Sequence, residues 1–127
     1  MPSLARQSAV GYGNHSMATP LPSRRVRGSA SGRPVMALLD LLGRRWALRI
    51  LWELRDGQGL NFRLLQERCE AISPTVQNQR LAELREAGIV EHSLDGGYRL
   101  TREGMKLIAR LGPLHQWAED WARRLKA

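Results

Sequence analysis

The sequence predicts an α+β fold that is mostly helical, and three features of its 127 residues support this prediction. Apolar side chains recur at spacings of three and four through most of residues 34–127, the period of amphipathic helices. Two short β-favouring runs flank the turn signal Asp95-Gly96-Gly97. A polar-faced helix opening at Ser73 comes directly before this hairpin. Together these features indicate a winged helix-turn-helix with a short two- or three-stranded wing sheet and terminal dimerisation helices.

Residues 1–33 differ in composition from the rest of the chain. They are rich in Ser, Gly, Pro and Arg, so we expect a disordered tail there and one folded domain over residues 34–127. The chain has 20 Lys+Arg against 12 Asp+Glu and a formal net charge of +8, which favours a polyanionic partner. Five arginines and no acidic residue lie in the tail. It is therefore either a solvated segment or an arm that contacts nucleic acid non-specifically.

Four helices are predicted ahead of the hairpin. Their expected spans are 35–42, 44–55, 62–69 and 74–87. Ser73 is a good N-cap, Pro74 suits the first helical position, and Gly88 can end the last of these helices. The inward stripe of helix 74–87 should be Gln77, Leu81 and Leu84. Its outward face should hold Thr75, Gln79, Ala82 and Glu86, flanked by Asn78 and Glu83. Leu60 can add one strand residue to the wing sheet.

The C-terminal segment predicts a fifth helix and a hydrophobic surface. Thr101 caps the helix, which should run from Arg102 to about Leu111, where Gly112-Pro113 kinks or interrupts it. The amphipathic residues that follow serve either an intrachain core or a dimer interface, since ~94 ordered residues make a modest core. Large apolar anchors dominate association energies. The expected dimer interface consists of Leu38, Leu42, Leu114, Trp117 and Trp121.

Residues 36–125 resemble the HxlR-type transcriptional regulators, a branch of the MarR-like winged-helix proteins. The resemblance rests on the order and spacing of the segments Leu38–Trp46, Asn61–Leu65, Ile72–Val76, Gln79–Glu91 and Tyr98–Gly104. It implies a bacterial or archaeal homodimer that binds DNA and has no enzymatic activity. The chain departs from the family pattern in a shorter wing hairpin, and in Gln77, where the family usually has an apolar residue.

The candidate DNA-binding residues lie mainly on helix 74–87 and on a wing at 90–100. Thr75, Asn78 and Gln79 occupy the first turns of the helix, where base-edge contacts concentrate. Asn and Gln can pair with adenine, and Thr can contact a thymine methyl group. Ser73 caps the helix, and the free amides beside it can hold a phosphate.

Basic side chains are the candidate phosphate contacts. Arg80 either contacts the DNA backbone or pairs with a carboxylate such as that of Glu83. Arg45 and Arg63 are either phosphate contacts or solvated arginines. In the wing, His92 and Arg99 are the candidates, and Arg99 is favoured because it is always charged.

The single cysteine, Cys69, excludes an intramolecular disulfide and fits a reducing cytosol. It lies on an apolar stripe, which favours packing over a redox-sensing role. The three histidines lack zinc-site spacing, and no phosphate loop or nucleophile motif is present. The sequence therefore predicts no metal, cofactor or catalytic residue. No apolar run approaches ~20 residues, so no membrane span is expected, and a cytoplasmic, nucleoid-associated protein is predicted.

These observations predict a homodimeric DNA-binding regulator that reads a pseudo-palindromic operator. Repression would follow from blocking polymerase. The sequence leaves transcriptional activation open as the alternative. The expected partners are double-stranded DNA, a second copy of the chain and an unidentified small-molecule effector. Two alternatives remain open: a winged-helix protein–protein adaptor without specific DNA reading, and a redox-sensing regulator based on Cys69.

Overall fold

The computed structural model describes residues 18–127, and residues 1–17 of the predicted tail lie outside the described part. The described elements are α1 (Pro34–Leu42), α2 (Ala47–Glu53), α3 (Phe62–Cys69), α4 (Pro74–Glu86), β1 (Val90–His92), β2 (Tyr98–Leu100) and α5 (Arg102–Lys126). This order confirms the predicted mostly helical fold with a short hairpin sheet. The described residues divide into two compact units, 18–48 and 49–127.

In the first unit, the segment ahead of α1 is folded back on itself. The Ser23 N–H donates to the Gly32 carbonyl at 2.9 Å. The Arg27 N–H donates to the Asp40 carboxylate of α1 at 3.1 Å. Ordered turns therefore cover residues 18–33, where the composition predicted disorder. Local backbone hydrogen bonds and an anchor on α1 compensate for the scarcity of apolar side chains.

The second helix is shorter than the sequence predicts, because the chain turns before it begins. Residues 43–46 form the turn, and Trp46 adopts a left-handed backbone with φ of +76°. A bulky side chain rarely takes this conformation, so the turn is locally strained. At its other end, α2 stops at Glu53, and the Leu54 carbonyl accepts from the Gly57 N–H at 3.1 Å.

The second unit is built on an apolar core to which α4 contributes one face. Its fully buried aliphatic side chains are Ile50, Leu51, Leu54, Leu65, Leu81, Leu84 and Val90. Each such side chain contributes about 1.5–3 kcal/mol on burial. The predicted inward stripe of α4 is confirmed, since Gln77 is buried together with its two leucines. The opposite face of α4 is therefore the one left to solvent.

The wing sheet has two paired strands and one added residue. β1 and β2 are antiparallel, with Glu91 opposite Arg99 and His92 opposite Tyr98. Leu60 exchanges two backbone hydrogen bonds with Tyr98, at 2.8 and 2.9 Å, which confirms its predicted place in the sheet.

The turn of the wing is fixed by a side chain and a glycine. The Asp95 carboxylate accepts hydrogen bonds from the Ser93 hydroxyl and the Gly97 N–H. The Ser93 hydrogen bond is the main cause of the lowered pKa of Asp95. A Cβ at position 97 would lie 2.7 Å from the Leu60 carbonyl oxygen, so the close approach of the strands requires glycine there.

The last helix is one continuous element rather than the two predicted segments. α5 begins at a cap in which Thr101 Oγ1 accepts from the Gly104 N–H at 3.0 Å, and it runs through Pro113. Proline removes one helical hydrogen bond and crowds the residue before it. Here that residue is Gly112, which has no Cβ to clash, and both positions are exposed. The helix therefore passes the predicted break.

Candidate nucleic-acid interface

The start of α4 has the geometry of an anion-binding helix terminus. Ser73 has an extended backbone, and its Oγ accepts from the Val76 N–H at 3.1 Å. Pro74 occupies the first helical position, where a missing N–H costs nothing. Because Val76 N–H is bound by the cap, the Thr75 N–H is the first-turn helical amide that remains outside the hydrogen-bond ladder, and the positive end of the helix dipole adds to it. Ser73, Pro74 and Thr75 are all exposed.

A polar face of α4 is open to solvent beside this terminus. Thr75, Asn78 and Gln79 are all exposed, and so are Ala82 and Glu86 farther along the helix. Two adjacent side-chain amides and a hydroxyl offer both hydrogen-bond donors and acceptors on one exposed surface. This is the chemistry that base edges in a major groove require. The structure thus brings the predicted base-reading residues together on one helix face.

Gln77 fixes the orientation of α4 against α3. Its side chain is fully buried, and Nε2 donates to the Phe62 carbonyl at 2.9 Å. Its Oε1 has no hydrogen-bond partner among the described residues. The residue that departs from the family pattern thus takes the expected core position and adds one polar contact between the two helices.

We expect Gln77→Met to keep the free energy of unfolding within about 1 kcal/mol of the parent chain. The substitution removes one hydrogen bond, but it also removes a buried oxygen that lacks a partner, and methionine keeps a similar volume. Chemical denaturation monitored by circular dichroism measures the difference. Gln77→Ala is the matched control and should cost more, because it leaves a cavity. A loss for Gln77→Met as large as for the alanine variant would contradict this account.

Three of the predicted phosphate contacts lie beside carboxylates. Arg63 pairs with Glu67 at 3.7 Å, and Arg99 pairs across the wing strands with Glu91 at 2.8 Å. Arg80 pairs with Glu83 at 3.3 Å. This contact is the second of the two roles expected for Arg80. The Glu83 carboxylate was expected beside the outward face, but it is buried, because the helix turns it toward the core where Arg80 compensates its charge.

The other two basic candidates lie in different parts of the chain. His92 is exposed on β1, and its ring centroid lies 4.7 Å from that of Tyr98. Arg45 belongs to the first unit, where it is exposed and lies over the Trp46 ring. The sequence pattern does not mark Leu94 as a candidate, although this residue is fully exposed at the wing tip. Its place directly before the turn was the available signal.

The predicted dimer residues divide into exposed and buried ones. Leu114, Trp117 and Trp121 are 58%, 53% and 47% exposed. The two indole rings stack with centroids 5.6 Å apart.

On α1 the expected dimer residues are not the most exposed ones. Leu42 is buried within its own chain and Leu38 is partly buried. Val35 and Leu39 carry the exposed apolar surface instead, because α1 is rotated relative to the predicted face. The structure therefore does not support the prediction that Leu42 contributes to a subunit interface, because its side chain packs within its own chain.

Cys69 is a packed thiol in the structure. It is 1% exposed. Burial raises its pKa, and the nearby Arg49 guanidinium opposes this rise only in part. A raised pKa keeps the sulfur protonated at neutral pH, and the thiol is far less nucleophilic than the thiolate.

We expect native Cys69 to react with a water-soluble maleimide or disulfide reagent far more slowly than the same residue in unfolded protein. Because the pKa is raised, the native rate should remain low at neutral pH and rise only above the ordinary range of a cysteine thiol. Time courses in buffer and in denaturant measure the ratio. Equal rates in the two conditions would show that the thiol is accessible and contradict its packed role.

Comparison with known proteins identifies the family. The family model described as HxlR-like helix-turn-helix matches residues 41–126. The chain belongs to the HxlR family. No curated protein matches it significantly. This family consists of transcription regulators rather than enzymes, and this HxlR chain is accordingly a DNA-binding regulator.

Solved structures resemble this HxlR chain in sequence and fold. Quinone-bound YodB from B. subtilis is 32% identical with a TM-score of 0.62, over 68% of this chain and 94% of YodB. A possible HxlR family transcriptional factor from Thermoplasma volcanium is 31% identical with a TM-score of 0.61, over 71% and 85%. A MarR family regulator from Enterococcus faecalis is 26% identical with a TM-score of 0.62, over 69% and 84%. All three support the winged-helix assignment.

Two further observations apply to residues 18–127 of the HxlR chain. No helix there is both long enough and apolar enough to cross a membrane. No group of three or more His, Cys, Asp or Glu side chains converges there in a way that could hold a metal ion.

Proposed function

We propose that the protein is a homodimeric transcriptional repressor that reads a pseudo-palindromic operator through α4 and the wing. The observation that carries this proposal is the exposed polar face of α4, with Thr75, Asn78 and Gln79 beside a capped helix terminus. The buried Gln77 and leucines on the opposite face hold that helix in place. In this account Ser73 positions a phosphate through the neighbouring amide, while the three exposed side chains discriminate bases.

The arginine–glutamate pairs are compatible with DNA contact. An exposed ion pair is worth only about 0–1 kcal/mol, so a phosphate can displace the carboxylate with little loss. Arg63 and Arg99 are candidates for such an exchange, since their side chains are 86% and 42% exposed. Arg80 is a weaker candidate, because its side chain is only 16% exposed. His92 and Arg99 would reach DNA from the wing.

Dimerisation through α5 explains the exposed tryptophans. An indole side chain can bury about 150–250 Å², and buried tryptophans are among the residues that contribute most to interface energies. Leu114, Trp117 and Trp121 follow spacings of three and four and share one helix face. A second copy of the helix would cover this stripe. The resulting two-fold symmetry would place two α4 helices in major grooves ~34 Å apart.

Control by a small molecule forms part of the proposal. YodB has been solved in a quinone-bound form and a diamide-treated form. These forms support an electrophile or oxidant as the effector class. The buried Cys69 with its raised pKa does not support that residue as the direct target. Operator affinity measured with and without a quinone, in the parent chain and in Cys69→Ser, tests both points.

Selection of bound fragments from genomic DNA, followed by titration at two salt concentrations, tests the proposed function. A sequence-specific repressor retains one preferred fragment class at both salts. A protein–protein adaptor with the same fold would show no preferred fragment, and its weak binding would disappear at the higher salt. Transcription from a promoter that carries the selected operator then shows repression or activation.

A further inference from the structure

Positive charge is concentrated in the first unit. Residues 18–48 contain six arginines and one acidic residue, Asp40. Residues 49–127 contain 13 basic and 11 acidic residues, so they are almost neutral. The unit with the base-reading helix therefore carries little of the charge that a polyanion would attract.

Asp40, the one acidic residue among residues 18–48, forms its contacts inside the first unit. The Asp40 side chain is 4% exposed, accepts the Arg27 backbone N–H at 3.1 Å and lies 4.0 Å from Nε of the largely exposed Arg27 side chain. Its position inside the unit prevents it from forming an exposed acidic surface. Arg24, Arg25, Arg27, Arg33 and Arg45 are all exposed, and Arg44 is partly buried.

The base-reading unit adds little net charge to the attraction of a DNA backbone. α4 has two arginines and two glutamates, and therefore no net charge. Arg63, Arg80 and Arg99 each lie within 4 Å of a carboxylate. A duplex carries one negative charge per ~1.7 Å of its axis, and affinity depends strongly on the number of phosphates neutralised.

The arginine-bearing segment has a defined backbone. Gly32 has φ of +73°, and a Cβ there would lie 2.2 Å from the Arg24 carbonyl oxygen. The Arg33 N–H donates to the Ser29 hydroxyl at 3.0 Å. A folded loop presents its charges with less ordering cost on binding than a disordered arm.

From this charge distribution we infer that residues 24–45 form a phosphate-binding surface for duplex DNA, distinct from the base-reading face of α4. The inference rests on the proposed DNA-binding function and adds to it the part of the chain that neutralises the backbone. Its partner is double-stranded DNA of any sequence. Contacts of this kind set affinity and salt dependence without reading bases.

The test uses the full chain with Arg25→Gln and Arg33→Gln combined. Binding is measured by fluorescence anisotropy on the selected operator and on an unrelated duplex of equal length, over a range of NaCl concentrations. The slope of log K against log salt is negative, and its magnitude should decrease by about 0.9 for each phosphate that is no longer neutralised, or by about 2 per subunit. Affinity for both duplexes should fall by the same factor. Arg25→Lys with Arg33→Lys should restore the slope, because the charge is kept.

The matched control is Arg124→Gln with Lys126→Gln, which removes two exposed charges from the end of α5. Circular dichroism and the elution volume verify that each variant remains folded. An unchanged salt slope, or a change equal to that of the control, would overturn the inference. The inference would also be overturned if the arginine variant kept its DNA binding but lost binding to phosphatidylcholine–phosphatidylserine vesicles. The surface would then serve a membrane.

Failure of this inference can be separated from failure of the proposed function. Asn78→Ala with Gln79→Ala should abolish the preference for the operator and leave the salt slope intact. If that variant keeps the preference, the base-reading role of Asn78 and Gln79 fails, whatever the arginines do. If the amide variant loses the operator preference but the arginine variant keeps the salt slope of the parent chain, α4 reads DNA and other residues neutralise the backbone.

Discussion

Replacing Trp117 and Trp121 together with alanine should convert the proposed dimer to a monomer. Both indoles are about half exposed in the single chain and stack on each other, so a second subunit is the natural cover for them. Interface tryptophans typically cost ~2 kcal/mol or more each when truncated, and each 1.4 kcal/mol is tenfold in Kd. The dimer should therefore weaken by ~1000-fold or more. Sedimentation equilibrium measures this directly.

The same variant should lose operator affinity while keeping its fold. A monomer contacts one half-site, and the second half-site no longer adds its free energy. Leu94→Ala is the control, because Leu94 is a fully exposed leucine at the wing tip, away from α5 in sequence. It should remain a dimer. A double-tryptophan variant that still sediments as a dimer would show that the subunits meet elsewhere.

Replacing Asn78 and Gln79 together with alanine should remove most of the discrimination between operator and unrelated DNA. A good bidentate pair between an amide and adenine contributes about 1–3 kcal/mol. Two residues in each of two half-sites can therefore reduce the specificity ratio by ~100-fold or more. Because neither side chain is charged, affinity for unrelated DNA and its salt dependence should change little. Competition binding with the two duplexes measures the ratio.

Gln58→Ala is the matched control for this loss, since it removes an exposed amide from a turn outside α4. It should leave the specificity ratio at the parent value. A double amide variant that behaves like this control would place base reading on other residues, and the remaining candidate on the same face would be Thr75. Thr75→Ala would then be expected to carry the effect.

Local sequence signals were sufficient to predict the helices around the proposed base-reading face. Ser73 and Pro74 define the start of α4 by cap chemistry, and α3 was predicted with its observed bounds. Periodicity placed Gln77 in the core, although its polarity argued against that position. These features depend on neighbours within one or two turns, which a sequence shows directly.

Other features depend on tertiary context that no local pattern contains. The burial of Glu83 depends on the angle at which α4 packs and on Arg80 as a partner. The order of residues 18–33 depends on Asp40, which lies beyond the segment itself and accepts the Arg27 N–H. Composition alone therefore predicted disorder there.

Affinity cleavage from the start of α4 would test the DNA-reading role of this face most directly. Asn78→Cys offers an exposed thiol for attachment of an iron–EDTA group, while the native Cys69 is buried and remains unlabelled. We expect cleavage of the operator at two positions about one helical turn, ~34 Å, apart, with the strand offset of a major groove. A chain tagged in the same way at Ala127→Cys serves as the control. Cleavage absent from the Asn78 tag, or spread evenly along a DNA that the protein still binds specifically, would contradict the account.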